Sequence, residues 1–171
     1  VENNTNAISF LMQMEDNILL RSGISNKTPR KKLTEQLNKD QVQTLLDDSP
    51  YIGFMNLEVV SMDLDKDEIV IKMPMRPEFE RRVGTGQYHG GAIAALIDIA
   101  GDYALVMKVG GGVPTINFRV DFLRPGTNTS LTATATTRRL GRSVAVVDID
   151  VHDDQGKLCA VGRGTYSPNV G

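Results

Sequence analysis

Two neighbouring features of the 171-residue chain could do chemistry: the pair Gly90-Gly91, which follows His89, and the carboxylate of Asp98. Amides at the start of a helix have free N–H groups at the positive end of its dipole, so they can stabilise an oxyanion. A carboxylate inside an apolar helix must be partnered, neutralised or open to a cavity, which makes Asp98 a candidate general base or nucleophile. The alternatives are a helix start without a ligand and an acid on a wet helix face.

The spacing between the glycine pair and the acid limits how they can cooperate. A helix rises 1.5 Å per residue, so eight residues separate Gly90 from Asp98 by about 12 Å. One small reacting group cannot contact both within one chain. If both act on the same carbonyl, Asp98 comes from a neighbouring protomer, and a two-fold dimer builds two equivalent sites.

Other polar residues have weaker patterns. Asp102 is four residues beyond Asp98 on the same helix face, and is either a second functional acid or part of a solvent-facing stripe. Thr115 opens a strand and could bond a water or an acid, or be an ordinary strand threonine. The arginines near the later strand ends could grip phosphates or form a solvated surface; they are Arg124, Arg138, Arg139 and Arg142.

The segment that contains these residues predicts a buried central helix over 89–108. Its alanines and leucines favour helix, and it is apolar nearly all round. The run Gly110-Gly111-Gly112 ends it.

Strands are predicted on both sides of this helix. The strand with the clearest alternation of apolar and polar residues runs from 116 to 122, and the other candidates are 56–63, 69–75, 129–137, 144–151 and 157–166. The last three follow one another without a helix, which indicates an antiparallel meander. The expected fold is therefore α+β: an antiparallel sheet wrapped around one long helix.

The first 50 residues have a different pattern. Apolar residues at helical spacing predict amphipathic helices over 7–21 and 31–47, the second ended by Ser49-Pro50. We therefore expect a helical extension at 1–50 and a sheet-and-helix domain at 51–171.

Composition excludes several classes of function. A net charge of −2 and the absence of Trp argue against nucleic-acid binding. One cysteine and two histidines leave no basis for a metal centre, and Cys159 has no evident His partner for nucleophilic catalysis. No apolar run is long enough for a membrane span. The expected protein needs no membrane and is cytoplasmic.

The chain resembles the hot-dog-fold acyl-CoA thioesterases of the phenylacetate-degradation type. The resemblance covers about residues 50–167. It rests on His-Gly-Gly followed by Asp98 within 89–98, on Asn117, and on the strand end Phe-Leu-Arg-Pro-Gly at 122–126. The turn at 140–142 and the closing segment 162–166 also match.

The resemblance implies a mechanism and an assembly. A backbone N–H of the glycine pair, Gly91 or Gly90, polarises the thioester carbonyl, while Asp98 of the facing protomer activates water or attacks directly. Thr115 helps to position the water. The implied substrate is an acyl-CoA, no cofactor is required because coenzyme A is part of the substrate, and the chains pair into homodimers or homotetramers.

Further binding residues follow from the same resemblance. Arg124, Arg139 and Arg142 match basic residues that hold the phosphates of coenzyme A, and Asn117 belongs to the matching strand. One position departs from the pattern: many relatives have an Asn about six residues before the His, where this chain has Val83. Gln87 could supply the amide instead.

Two other functions remain open at this stage. A hot-dog hydratase or dehydratase would need a catalytic histidine, for which His89 is available. A non-catalytic module would bind acyl-CoA without cleaving it.

Overall fold

Six strands form one antiparallel sheet in the computed structural model, which describes residues 36–168. The strands are β1 (Glu58–Asp63), β2 (Glu68–Met73), β3 (Thr115–Phe122), β4 (Leu131–Leu140), β5 (Ala145–Asp153) and β6 (Leu158–Tyr166). They are arranged in the order β1-β2-β4-β5-β6-β3. The predicted meander of the last three strands is confirmed, and the first two strands pair with each other as an antiparallel hairpin.

Three helices complete the described fold: α1 (Lys39–Asp48), α2 (Pro50–Met55) and the long α3 (Gly90–Val109). Eleven of the 20 residues of α3 are buried, which confirms the predicted central helix. Gly110 ends it in the left-handed conformation and donates its N–H to Val106. The α+β hot-dog architecture expected from the sequence is therefore present.

The central strands β4 and β5 have one buried and one more exposed face, as the alternation of apolar and polar residues predicts. Every second residue is buried from Leu131 to Thr137 in β4 and from Ala145 to Val151 in β5. Strand β3 differs, because both of its faces are largely exposed. It lies at the edge of the sheet, so the apolar side chains Ile116 and Phe118 are only partly covered within one chain.

Strand register defines two ends of the sheet. At one end, Thr115 pairs with Tyr166, and Tyr166 pairs in turn with Ala145. At the other end, Phe122 pairs with Ala160. Residues that follow Phe122 therefore lie far from residues that precede Thr115.

The helices before β1 differ in part from the prediction. Residues 7–21 and the start of 31–47 lie outside the described residues. The second helix begins only at Lys39, because Asn38 and Gln41 form a reciprocal capping box there. Pro50 does end this helix, but it also starts α2, since proline is well suited to a first helical position.

Helix α1 contributes to the same core as the sheet. Its Val42 and Leu46 are buried, and the side chain of Gln43 bonds backbone groups of Leu57 and Val59. The domain boundary at residue 50 stays a prediction. None of the described helices is long and apolar enough to cross a membrane.

Tyr166 joins the central helix to the end of the sheet. Its buried hydroxyl donates to the backbone carbonyl of Asp98 at 3.2 Å. A Cβ atom on Gly101 or Gly164 would collide with the Tyr166 ring or hydroxyl. Both glycines are therefore needed to seat this side chain.

Candidate active site

The two residues that precede α3 are held in place by backbone hydrogen bonds to two different segments of the chain. The N–H of Tyr88 donates to Gly126 and the N–H of His89 donates to Phe79. His89 is the N-cap residue, with an extended backbone, and its Nδ1 accepts the N–H of Gly91 at 2.9 Å. The imidazole thus takes the role that Ser, Thr or Asn usually has at this position.

Because of this cap, only one of the two predicted oxyanion donors remains available. The N–H of Gly91 is already bonded to His89. The N–H of Gly90 has no acceptor among residues 36–168. Gly90 is therefore the amide of the pair that is available to a ligand, at the positive end of a 20-residue helix.

The Gly90 amide lies beside a surface cleft of about 410 Å³. Gln87, His89, Gly90 and Arg124, all predicted site residues, line this cleft. Phe122 also lines it, and its ring lies against Gly90: a Cβ on that glycine would lie 3.3 Å from Phe122 Cζ. Phe122 had no predicted role at the site, although it lies in the matching strand end at 122–126.

The second predicted catalytic group, the carboxylate of Asp98, lies farther along α3. Asp98 is half-buried, and its Oδ1 accepts a hydrogen bond from the hydroxyl of Thr115 at 2.9 Å. The structure thus brings together two residues that are 17 positions apart in the sequence. The other carboxylate oxygen, Oδ2, accepts no hydrogen bond within the described part of the chain.

Asp102 occupies a drier position than Asp98. Its Oδ1 is inaccessible to solvent and has no hydrogen-bond partner within residues 36–168. Burial, aided by the charge of Asp98, raises its pKa to about 7, and the backbone amide of Val113 partly opposes this rise. The sequence left open whether this acid is functional or part of a wet stripe, and burial excludes the wet stripe.

The remaining predicted binding residues divide between the two ends of the sheet. Arg124 follows Phe122 at the Gly90 end, where its guanidinium also donates to the carbonyl of Leu158. Arg139 and Arg142 lie at the opposite end, near the turn where Leu140 pairs with Ala145. Asn117 is exposed on β3, near Thr115. One chain does not bring all of these residues to one place.

The loop before His89 contains Val83, the position at which the resemblance predicts an Asn. Glu80 accepts the N–H groups of Gly84 and Gly86, both of which have a positive φ. Val83 projects from this loop and is 96% exposed. It supplies no polar group, whereas Gln87 at the end of the loop lines the cleft.

No group of three or more potential metal-ligating side chains occurs within residues 36–168. The polar groups described above form two sets in one chain: the Gly90 amide with Gln87 and Arg124 at the cleft, and the Asp98 carboxylate with its Thr115 partner farther along α3.

Comparison with protein families matches residues 85–160 to the thioesterase superfamily model. One relative is a protein of Saccharolobus solfataricus that is named as an esterase. It is 34% identical to this chain over 114 residues, and the match covers 66% of this chain and 80% of that protein. The medium/long-chain acyl-CoA thioesterase YigI of Escherichia coli is 32% identical over 96 residues, which are 46% of this chain and 60% of YigI.

Solved structures show the same relationship. The E. coli PaaI protein from the phenylacetic acid degradation operon superposes with a TM-score of 0.66 at 28% sequence identity. The match covers 75% of this chain and 90% of that protein. The matched family region contains every residue that lines the cleft except Arg81, as well as both candidate donors, Asp98 and Thr115.

Proposed function

The chain belongs to the thioesterase superfamily, and we propose that within it the protein hydrolyses acyl-CoA thioesters to a free acid and coenzyme A. The observation that carries this proposal is the Thr115–Asp98 hydrogen bond, which holds a carboxylate on a mostly apolar helix and leaves its Oδ2 without a partner among residues 36–168. The acyl-CoA substrate is supported by the likeness to YigI, which is an acyl-CoA thioesterase.

The proposed reaction uses Asp98 and Gly90 for separate tasks. Asp98 takes a proton from water, the water oxygen attacks the thioester carbonyl, and the oxyanion that forms is stabilised by the Gly90 N–H. The intermediate collapses by breaking the C–S bond, and the thiolate of coenzyme A receives the proton from Asp98. Direct attack by Asp98, with an anhydride intermediate that water then cleaves, remains the alternative role for this carboxylate.

The proposed site is shared between two protomers. Gly90 and Asp98 are about 12 Å apart along one helix, so the amide of one subunit would act with the carboxylate of its partner. The exposed apolar side chains of edge strand β3, Ile116 and Phe118, provide a surface for such pairing. We therefore propose a homodimer as the active unit, which can pair further into a homotetramer.

The same pairing would gather the arginines. Arg124 belongs to the Gly90 end of each chain, whereas Arg139 and Arg142 belong to the Asp98 end. A dimer that joins these ends would place all three around one substrate. Guanidinium groups bind phosphates with strong charge-assisted hydrogen bonds, as the phosphates of coenzyme A require.

His89 has a different role in this proposal. Because its Nδ1 accepts the Gly91 N–H, the ring serves to cap the helix and to keep the Gly90 amide directed at the cleft. A hydratase or dehydratase would need this histidine for proton transfer. The capping contact therefore favours hydrolysis.

The test is thiol release from a panel of short, medium, long and aromatic acyl-CoAs, with Asp98→Asn measured alongside. We expect turnover by the wild-type protein and a loss of about a hundredfold or more in the variant, because the base is absent. Binding of acyl-CoA without thiol release would identify a non-catalytic module. Full turnover by Asp98→Asn would remove Asp98 from the mechanism.

A further inference from the structure

Asp102 is a half-buried residue with one fully buried carboxyl oxygen, and the proposed reaction does not use it. It follows Asp98 by one helical turn, so the two side chains share a helix face with Cβ atoms about 5–6 Å apart. Its Oδ1 is inaccessible to solvent and unpartnered within the described residues. An orphaned carboxyl oxygen destabilises a fold, so its presence beside the proposed base calls for a function.

One short segment contacts both carboxyl groups. The backbone amide of Val113 lies beside Asp102, and the hydroxyl of Thr115, two residues later, donates to Asp98. Val113 is buried, which limits the movement of this segment. A change of charge on Asp102 is therefore felt at Asp98 both through space and through the segment that holds it.

No positively charged side chain of residues 36–168 pairs with Asp102. The titratable groups that interact with it are Asp98 on the same helix face, Tyr103 next to it, and Tyr166 on β6. Within residues 36–168 it forms no ion pair. Burial together with the Asp98 charge raises the pKa of Asp102 to about 7, so its charge changes within the range in which enzymes work.

We propose that Asp102 is a positioning residue that acts through Asp98: it shares a face of α3 with the proposed base and is connected to it by the 113–115 segment, so that the charge on Asp102 changes how readily Asp98 takes a proton from water. This inference rests on the proposed hydrolysis, in which Asp98 accepts the proton of water. Two carboxyl groups that interact strongly lose their protons in steps that belong to the pair rather than to either group. A second negative charge increases the proton affinity of the first, which speeds proton abstraction.

The first test is the pH dependence of kcat/KM for the best acyl-CoA substrate, corrected for hydrolysis without enzyme. For the wild type we expect a rise of roughly threefold to tenfold centred near pH 7. Asp102→Asn should lose this rise and retain activity at the level of the protonated wild type. Asp150→Asn, which removes an exposed carboxylate on β5, should keep the wild-type profile.

The second test needs no turnover. The carboxyl carbon resonance of Asp98, followed by NMR in the full chain, should show a second inflection near pH 7 in the wild type. That inflection should be absent in Asp102→Asn and in Asp102→Ala, which serves if the first variant does not fold. A merely structural role of Asp102 would not produce it.

The outcomes separate this inference from the proposed function. If the wild type releases no thiol, the proposed hydrolysis fails, while the Asp98 resonance still tests the coupling. If the enzyme is active but its profile lacks the step near pH 7, or the step persists in Asp102→Asn, the role of Asp102 is wrong. A single inflection of Asp98 in the wild type would overturn it even if neither variant folds.

Discussion

The hydroxyl of Thr115 on the edge strand β3 donates a hydrogen bond to Oδ1 of Asp98 in the middle of the central helix. This contact leaves Oδ2 as the oxygen of Asp98 that can take a proton from water. It also connects the proposed base to β3, the strand that exposes the apolar side chains Ile116, Phe118 and Phe122. Pairing through that strand would therefore position the base at the same time.

Replacing Thr115 should reduce turnover through the orientation of Asp98. We expect Thr115→Val, which keeps the shape and removes the hydroxyl, to lower kcat by about tenfold, because a misaligned base transfers protons less efficiently. Thr115→Ser keeps the hydroxyl and should retain more of the activity. Equal losses in the two variants would show that the hydrogen bond is not what matters.

The Gly90 amide can be removed without breaking the helix. Gly90 is the first residue of α3 and His89 before it is extended, so proline is compatible at this position. Gly90→Pro should lower kcat by about a hundredfold, as loss of one oxyanion donor does in other enzymes.

Gly90→Ala is the matched control for this change. It adds a Cβ close to the Phe122 ring but keeps the N–H. The ratio of the two activities therefore isolates the amide. Circular dichroism would check that the helix is intact, and similar kcat values for the Ala and Pro variants would exclude this amide as a donor.

His89 should matter for stability through its cap. His89→Ala removes the acceptor of the Gly91 N–H, and we expect a loss of about 1 kcal/mol in the free energy of unfolding. Asn is a strong N-cap residue, so His89→Asn should recover most of that loss in a urea titration. If Asn stabilises no more than Ala, the ring contributes through another contact.

Stability should depend on pH through Asp102. An acid whose pKa is raised by folding from 3.8 to about 7 binds more protons in the folded state. The free energy of unfolding therefore falls as the pH rises through this interval and is level above it. Relative to the wild type, Asp102→Asn should gain about 1–3 kcal/mol between pH 4 and pH 8.

Urea unfolding at several pH values measures this difference directly. The exposed carboxylate of Asp150 supplies the control, because Asp150→Asn should follow the wild-type curve. A constant offset between Asp102→Asn and the wild type at every pH would mean that Asp102 does not change its protonation on folding.

Mixing two inactive variants tests whether the site is shared. Asp98→Asn and Gly90→Pro subunits are each defective, but a mixed dimer contains one site with both groups intact. After random exchange of equal amounts, we expect recovery of about a quarter of the wild-type activity. Native mass spectrometry would confirm exchange, and proven exchange without recovery would place both groups in the same subunit.

The sequence predicted most of the fold because its signals were local. The alternation of apolar and polar residues in β4 and β5 indicates that one face of each strand is buried. The nearly continuous apolar run of α3 indicates a helix that is buried on most sides. The later start of α1 also has a local signal, the capping pair Asn38 and Gln41. Strand β3 shows equally clear alternation, yet its apolar face is exposed, because alternation does not say whether a strand lies at the edge of a sheet.

The site was less predictable because its details depend on tertiary contacts. The sequence singled out His89, Gly90, Gly91 and Asp98, but only the orientation of the imidazole shows which glycine amide remains free. The raised pKa of Asp102 depends mainly on its burial, which the spacing of the two acids along the helix does not indicate. The separation of Arg124 from Arg139 and Arg142 follows from strand register.

Tyr166 limits the substitutions that homologues of this protein can tolerate at the positions around its ring. Its ring fills space that side chains at Gly101 and Gly164 would otherwise take, and its hydroxyl holds the helix turn that carries Asp98. A single replacement of either glycine meets the ring, while loss of the ring leaves a void beside the proposed base. These three positions should consequently vary together, so that homologues with a smaller residue in place of Tyr166 will have larger residues opposite it.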